Sequence, residues 1–245
     1  FGGYPGGQAE YMRVPYANFT PFKIPDDCEI EDEKLLLMSD AMATAYWSVE
    51  NAGVKKGSTV IILGCGPIGL LAQKFAWLHG AERVIGVDYI DYRLKHAEKF
   101  NKVETVNFEQ HQNTGEYLRE ITKGGADIVI DCVGMDGKMT PLEYLGSGLK
   151  LQSGALGGFV TAVQSVRKGG MIQVTGVYGG RYNGFPFGDI MNRNINIRTG
   201  QAPAIPYMPK LYKLLAENKV DPTDIITHRL PLDEASHGYE VFDTK

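Results

Sequence analysis

A glycine-rich turn between a strand and a helix is the part of this sequence whose residue types and spacing could do chemistry. The apolar run 59–63 ends in Gly64-Cys65-Gly66-Pro67-Ile68-Gly69, and a helical pattern follows. A second apolar strand ends in Asp88, about 20 residues further on. Three glycines at this spacing, between a strand and a helix, are the fingerprint of a dinucleotide-binding unit. The sequence therefore predicts a dinucleotide site.

Each residue of this fingerprint has its own predicted role. Gly64 permits the tight turn, Gly66 lets the backbone approach a pyrophosphate, and Gly69 lets the helix pack close to the strand. The helix N-terminus offers unpaired N–H groups to the phosphates. Asp88 can accept hydrogen bonds from the adenosine ribose, and its charge would repel a 2′-phosphate, so NAD is predicted over NADP. The alternatives are an ordinary strand-to-helix connection and a methyltransferase, although the spacing of the third glycine disfavours the latter.

Composition and charge narrow the class of protein. The 245 residues suffice for one large domain or two modest ones. The formal net charge of -4 gives no basic footprint for nucleic acid, and no apolar run is long enough to span a bilayer. Cys28, Cys65 and Cys132 make neither a disulfide framework nor a metal-binding pattern. We expect a cytoplasmic protein that acts on a small molecule and binds neither nucleic acid nor a membrane.

The elements that must position the turn alternate between strands and helices. Strands are predicted near residues 59–63, 83–87, 104–106, 126–132, 170–176 and 195–199, and helices near 41–51, 67–79, 91–100, 113–123, 158–168 and 207–218. This alternation predicts an α/β fold, a doubly wound Rossmann sheet of six parallel strands with the cofactor at its switch point.

Four further segments lie outside this alternation or at its edge. Short strands are also predicted over residues 9–16 and 20–24. The connection from Gly134 to Gly158 is unusually long and leaves a carboxyl strand end, so it could fold over the cofactor or be a surface excursion. The predicted sixth strand lies at the sheet edge, which favours a homodimer or homotetramer.

Four parts of the chain resemble the zinc-dependent medium-chain alcohol dehydrogenases, most closely the formaldehyde dehydrogenase-like branch. They are residues 6–11 (Gly-Gly-Gln-Ala-Glu-Tyr), residues 39–46 (Ser-Asp-Ala-Met-Ala-Thr-Ala-Tyr), the turn at 64–69, and the strand ends 175–177 (Thr-Gly-Val) and 199–201 (Thr-Gly-Gln). The resemblance implies oxidation of an alcohol or a hydrated aldehyde with NAD, assisted by zinc. The alternatives are a zinc-independent quinone or enone reductase that uses NADPH, and a nucleotide-binding fragment without catalysis.

The resemblance also implies a domain organisation. Residues 1–43 match the end of a GroES-like catalytic β domain, 44–204 the NAD-binding domain, and 205–245 a return segment toward the catalytic domain. The cysteines and the Gly-His-Glu segment that hold zinc in this family are absent from the sequence. We therefore expect part of a longer polypeptide, inactive by itself; a tag-free recombinant domain is the alternative.

The catalytic residues that the resemblance implies are Asp40 and Thr44. Asp40 matches a position where the family places a zinc ligand, but a catalytic zinc needs three protein ligands, so Asp40 alone cannot hold the metal. The other interpretation of Asp40 is a helix N-cap whose carboxylate accepts backbone N–H bonds. Thr44 matches a threonine that approaches the nicotinamide; alternatively, its hydroxyl bonds back to its own helix.

The resemblance further implies a set of cofactor contacts. Ile68 would press on the nicotinamide ring or be plain core, and Arg93 would lie beside the adenosine ribose or be a solvated helix residue. The strand-end residues would line the adenine and bind the nicotinamide carboxamide, or simply be turn residues. The full predicted cofactor set is Gly64, Gly66, Pro67, Ile68, Gly69, Asp88, Arg93, Val133, Gly134, Thr175, Gly176, Val177, Gly200, Gln201 and Ala202.

Overall fold

One six-stranded parallel sheet organises the chain. A computed structural model describes residues 6–134, 156–178 and 184–243. The strands are β1 Thr59–Leu63, β2 Arg83–Asp88, β3 Glu104–Asn107, β4 Ala126–Asp131, β5 Val166–Val174 and β6 Asn196–Thr199. Their order in the sheet is β3-β2-β1-β4-β5-β6, and every pairing is parallel. The predicted doubly wound fold is confirmed, with the switch point between β1 and β4.

Helices cover both faces of the sheet. They are α1 Asp32–Leu37, α2 Ala41–Ala52, α3 Pro67–Leu78, α4 Asp91–His96 with a π-helical turn Ala97–Asn101, α5 Thr114–Ile121, α6 Gly157–Ser165, α7 Phe187–Asn192, α8 Ala204–Ala216 and α9 Ala235–Asp243. Short 3-10 helices span Phe108–Gln110, Thr223–Ile225 and Leu232–Glu234. Within the described residues, no helix has the length and apolar character needed to cross a membrane.

The described residues form two hydrophobic cores on opposite faces of the sheet, and β1 contributes to both. Val60 and Ile62 pack with helices α2, α3 and α8, whereas Ile61 and Leu63 pack with helices α5 and α6. Successive side chains of a strand point to opposite faces, so a continuous β-branched run is what a doubly covered strand requires. This burial fixes the position at which β1 ends and the glycine turn begins.

Two sequence predictions about secondary structure are wrong. Residues 9–16 and 20–24 form turns and irregular backbone instead of strands. A strand needs a neighbouring strand for its hydrogen bonds, and these segments pair with none of the described strands; Tyr11 is 90% exposed. The helix predicted over 158–168 ends at Ser165, where β5 begins.

The early start of β5 has a local cause. Ala126 pairs with Val166, but Ile128 pairs with Met171, so the pairing between β4 and β5 is irregular there. Gly169 sits in this irregular stretch with φ of +67°, a conformation that glycine adopts readily. Lys168-Gly169-Gly170, a combination typical of the end of a helix, therefore lies in an irregular stretch of a strand. Of the long connection predicted between Gly134 and Gly158, residues 135–155 lie outside the described part of the chain.

Candidate dinucleotide site

The glycine turn lies at the carboxyl edge of the sheet, between β1 and α3. Gly64 has φ of +90°, and its N–H donates to the Val87 carbonyl at 2.7 Å. Pro67 is the first residue of α3, where its missing N–H costs nothing. Ile68 is half-buried and packs against the core under α3.

The space around each glycine differs. A Cβ added at Gly69 would lie 1.9 Å from the Gly64 carbonyl oxygen, and one at Gly64 would lie 3.0 Å from the Cys132 carbonyl oxygen. A Cβ at Gly66 would meet nothing within 4 Å. Gly64 and Gly69 are thus required by the packing of the turn itself. Gly66 instead leaves its backbone open at the helix N-terminus, where a phosphate can approach.

Asp88 stands at the tip of β2, next to this turn, and its side chain is 6% exposed. One carboxylate oxygen accepts the Cys65 N–H at 2.8 Å, and the other accepts the N–H groups of Tyr89 and Ile90 at 2.7 and 3.1 Å. A guanidinium nitrogen of Arg93 lies 3.9 Å from the oxygen that accepts Cys65. Asp88 therefore fixes the turn through Cys65 and holds its carboxylate beside the glycine turn.

Helix α2 begins at the same edge with Asp40 and Thr44. The interpretation of the Asp40 carboxylate as a backbone cap is wrong: Asp40 occupies the N-cap position, but its side chain accepts no N–H of the helix. It accepts the Thr44 hydroxyl instead, at 2.9 Å. The Thr44 hydroxyl thus bonds a side chain of its own helix rather than a backbone carbonyl.

A hydrogen-bonded series connects α2 to the end of β5. The Thr175 hydroxyl donates to the Ser48 hydroxyl at 2.7 Å, and Ser48 donates to the Thr44 carbonyl at 2.6 Å. Ser48 is fully buried. This series places Thr44 and the tip of β5 on the same side of the sheet.

The other predicted contacts follow the tips of β4, β5 and β6. Val133 and Gly134 follow β4, and Gly176 and Val177 follow β5; a Cβ at Gly176 would lie 2.5 Å from the Val133 carbonyl oxygen. The residues after β6 are Gly200, Gln201 and Ala202. Gly200 has φ of +147°, and its neighbour is the ring of Trp47 in α2. All the predicted positions except Asp40, Thr44 and Arg93 thus lie at strand ends or in the glycine turn.

Asp131 is a residue of this edge that the sequence reasoning missed. It is the last residue of β4 and is fully buried. Its carboxylate accepts the Val133 N–H at 3.0 Å and the Tyr178 hydroxyl. Burial raises the pKa of this carboxyl to about 6, while the two hydrogen bonds oppose the rise. An acidic residue that ends an apolar strand, as Asp88 does, was the available signal.

The two cysteines at this edge have thiols whose pKa values are raised. Burial, together with the nearby Asp88 charge, raises the pKa of Cys65 to about 12. Burial also raises the pKa of the Cys132 thiol, with Asp131 adding to the effect. Because the thiolate is the reactive form, neither residue is suited to nucleophilic or redox chemistry.

A catalytic zinc does not fit the described residues by themselves. Across residues 6–134, 156–178 and 184–243, no group of three His, Cys, Asp or Glu side chains is placed to hold a metal ion. Asp40 offers one exposed carboxylate, whereas a catalytic zinc site needs three protein ligands.

The fold is that of a Rossmann domain with its fingerprint turn at the switch point. Residues 67–147 match the sequence model of a family described as zinc-binding dehydrogenase. The chain is 68% identical over 244 residues to the zinc-type alcohol dehydrogenase-like protein AdhB of Bacillus subtilis, covering 100% of this chain and 65% of that protein. It is 34% identical over 260 residues to a glutathione-independent formaldehyde dehydrogenase of Bacillus subtilis, covering 99% and 61%.

A solved structure of a related protein is also similar to this chain. The alcohol dehydrogenase TADH from Thermus sp. ATN1 superposes with a TM-score of 0.81 at 30% identity, covering 98% of this chain and 63% of that one. The chain is therefore a relative of the zinc-type alcohol dehydrogenases, as the resemblance predicted. It spans slightly less than two thirds of the length of these relatives.

Proposed function

We propose that this chain is the NAD-binding part of a zinc-type dehydrogenase that oxidises an alcohol or a hydrated aldehyde. When bound, NAD would supply the hydride acceptor. The observation that carries the proposal is the open backbone at Gly66, which lies close to the Asp88 carboxylate. The neighbouring Gly64 and Gly69 leave no room for a larger side chain within the turn. The similarity to proteins named as alcohol and formaldehyde dehydrogenases supports the substrate class.

Different residues along the carboxyl edge of the sheet would bind different parts of the coenzyme. The N–H groups at the start of α3 would bind the pyrophosphate, and Asp88 with Arg93 would bind the adenosine ribose. The strand ends after β4, β5 and β6, together with Thr44 and Ile68, would bind and orient the nicotinamide half. Asp40 would contribute one zinc ligand in the whole protein, with the other ligands outside the described residues.

The proposal is tested by titrating the chain with NADH and following the coenzyme fluorescence. Gly66→Ala adds a methyl group where nothing lies within 4 Å, so the variant should fold normally. We expect it to weaken NADH binding at least ~10-fold, about 1.4 kcal/mol, because the methyl group occupies the approach of the pyrophosphate.

Gly188→Ala is the matched control, because a Cβ at Gly188 in α7 also meets nothing within 4 Å. It should bind NADH like the unmodified chain. Equal binding by both variants, or no saturable binding by the unmodified chain, would refute the proposal.

We also propose that the protein forms homo-oligomers through the edge strand β6. Its four residues are all exposed, including Ile197, and the adjacent α7 exposes Phe187 and Met191. An open strand edge beside apolar side chains favours pairing with a second copy. Light scattering should give at least a dimer, which Ile197→Lys should dissociate. The control Ile205→Lys alters an exposed isoleucine of α8 and should leave the oligomer intact; a monomer without any substitution would contradict the proposal.

The division into residues 1–43, 44–204 and 205–245 and a cytoplasmic location belong to the same proposal. Helix α2 starts at residue 41 and packs into the sheet core, which supports a first boundary close to residue 43. Leu211 and Leu215 of α8 also lie in that core, so the return segment would leave the sheet only after α8.

A further inference from the structure

Asp131 holds two separate loops at the carboxyl edge through both its main chain and its side chain. Its carbonyl accepts the N–H groups of Thr175 and Gly176 at 2.9 and 2.8 Å. Its carboxylate accepts the Val133 N–H, from the loop after β4, and the Tyr178 hydroxyl, from the loop after β5. One buried residue thus fixes the loops at 132–134 and 175–178 relative to each other.

The space around this carboxylate is tightly occupied. A Cβ at Gly176 would lie 3.3 Å from one carboxylate oxygen, and a Cβ at Gly158, near the start of α6, would lie 3.6 Å from the same oxygen. The Gly176 Cβ would also come within 2.5 Å of the Val133 carbonyl oxygen. The two loops are therefore in direct contact, and a change in the hydrogen bonds of Asp131 must be passed to both.

These loops belong to one half of the sheet. In a doubly wound sheet, each βαβαβ half binds one mononucleotide, with the pyrophosphate at the switch point. The half formed by β1, β2 and β3 carries the glycine turn and Asp88, so it would bind the adenosine half of the coenzyme. The half formed by β4, β5 and β6 carries Asp131, and it takes the nicotinamide side.

We propose that Asp131 and Tyr178 are positioning residues for the nicotinamide half of the coenzyme. Their hydrogen bond sets the position of residues 175–177, whose backbone faces the coenzyme, without either side chain needing to contact it. This inference rests on the proposed NAD binding. It assigns a role to two side chains, those of Asp131 and Tyr178, to which neither the fingerprint nor the resemblance gave one.

The test compares two ligands that share the adenosine diphosphate part. NAD carries the nicotinamide, and ADP-ribose lacks it. In calorimetric titrations, Tyr178→Phe should weaken NAD binding about 10-fold, which corresponds to about 1.4 kcal/mol, and leave ADP-ribose binding unchanged. Asp131→Ala removes the acceptor of both the Val133 N–H and the Tyr178 hydroxyl, and should give the same selective loss.

Tyr207→Phe is the matched control, because the Tyr207 hydroxyl also donates to a carboxylate, that of Glu50, at 2.8 Å. Glu50 lies near the end of α2 opposite to Thr44, so this variant should bind both ligands normally. A melting curve for each variant checks that it is folded.

The outcomes separate the two proposals. A selective loss of NAD affinity supports the positioning role. Equal weakening of NAD and ADP-ribose, or unchanged binding of both, overturns the positioning role while NAD binding stands. If the unmodified chain binds neither ligand, the proposed function itself fails.

Discussion

The buried Asp131 carboxyl should make the stability of this protein depend on pH in a way that one substitution removes. Burial raises its pKa in the folded protein to about 6, and its usual value in an unfolded chain is about 3.9. The folded state therefore holds the proton more tightly than the unfolded state does. For such a group, stability is fully present below about pH 4 and is lost as the pH rises through 6.

The magnitude follows from the two pKa values. A difference of about 2 pKa units corresponds to roughly 3 kcal/mol, of which about 2 kcal/mol is lost between pH 4 and pH 7. Asp131→Asn introduces a neutral side chain of the same shape. Its carbonyl can accept the Val133 N–H, and its amino group can donate to the Tyr178 hydroxyl. The free energy of unfolding of this variant should therefore not decrease in this way between pH 4 and pH 7, while the contacts between the loops are retained.

Urea unfolding of both proteins between pH 4 and pH 7 measures this effect. The free energy of unfolding of Asp131→Asn minus that of the unmodified protein should increase by about 2 kcal/mol over this range, since the other titrating groups cancel in the difference. A difference that is constant with pH would show that the carboxyl has its ordinary pKa, and one that decreases as the pH rises would show a lowered pKa; either result would refute the reasoning.

Three further predictions concern the glycine turn and its neighbour. Gly69→Ala should lower the free energy of unfolding by about 1–3 kcal/mol and abolish NADH binding, because the new Cβ would overlap the Gly64 carbonyl; unaltered urea unfolding would contradict this. Asp88→Asn should cost about 1–3 kcal/mol, because its amino group must face the N–H of Cys65 or of Tyr89, and unchanged stability would argue against the hydrogen bonds described. Fluorescence titration should give tighter binding of NADH than of NADPH, because the Asp88 charge repels a 2′-phosphate; tighter NADPH binding would favour the reductase alternative.

Much of the fold could be predicted from local sequence because the sheet is buried on both faces. The run 59–63 of β-branched and leucine residues can be covered on both sides only in a sheet of this kind, and the glycines after it fix where β1 ends. By contrast, residues 9–16 were expected to form a strand although nothing in their sequence specifies a partner strand. Lys168-Gly169-Gly170 is equally compatible with the end of a helix and with a bulge, and only the pairing of β5 with β4 distinguishes them.

The candidate site, like the fold, could be predicted only where its residues lie close together in the sequence. The glycine turn and Asp88 lie within a short segment, so their spacing alone indicated that they act together. The role of Asp131 depends on Tyr178, which lies 47 residues away in sequence and meets it only when β4 and β5 pair. The Asp40 carboxylate was misjudged for a local reason, since the Thr44 hydroxyl competes with the helix N–H groups for it.

A crystal structure of the chain grown with NAD tests the central claim most directly. The account predicts the pyrophosphate against the backbone of Gly66 at the start of α3, a ribose hydroxyl on the Asp88 carboxylate, and the nicotinamide beside residues 175–177. Coenzyme bound elsewhere on the protein, or bound in the reverse direction with its nicotinamide at Asp88, would contradict it.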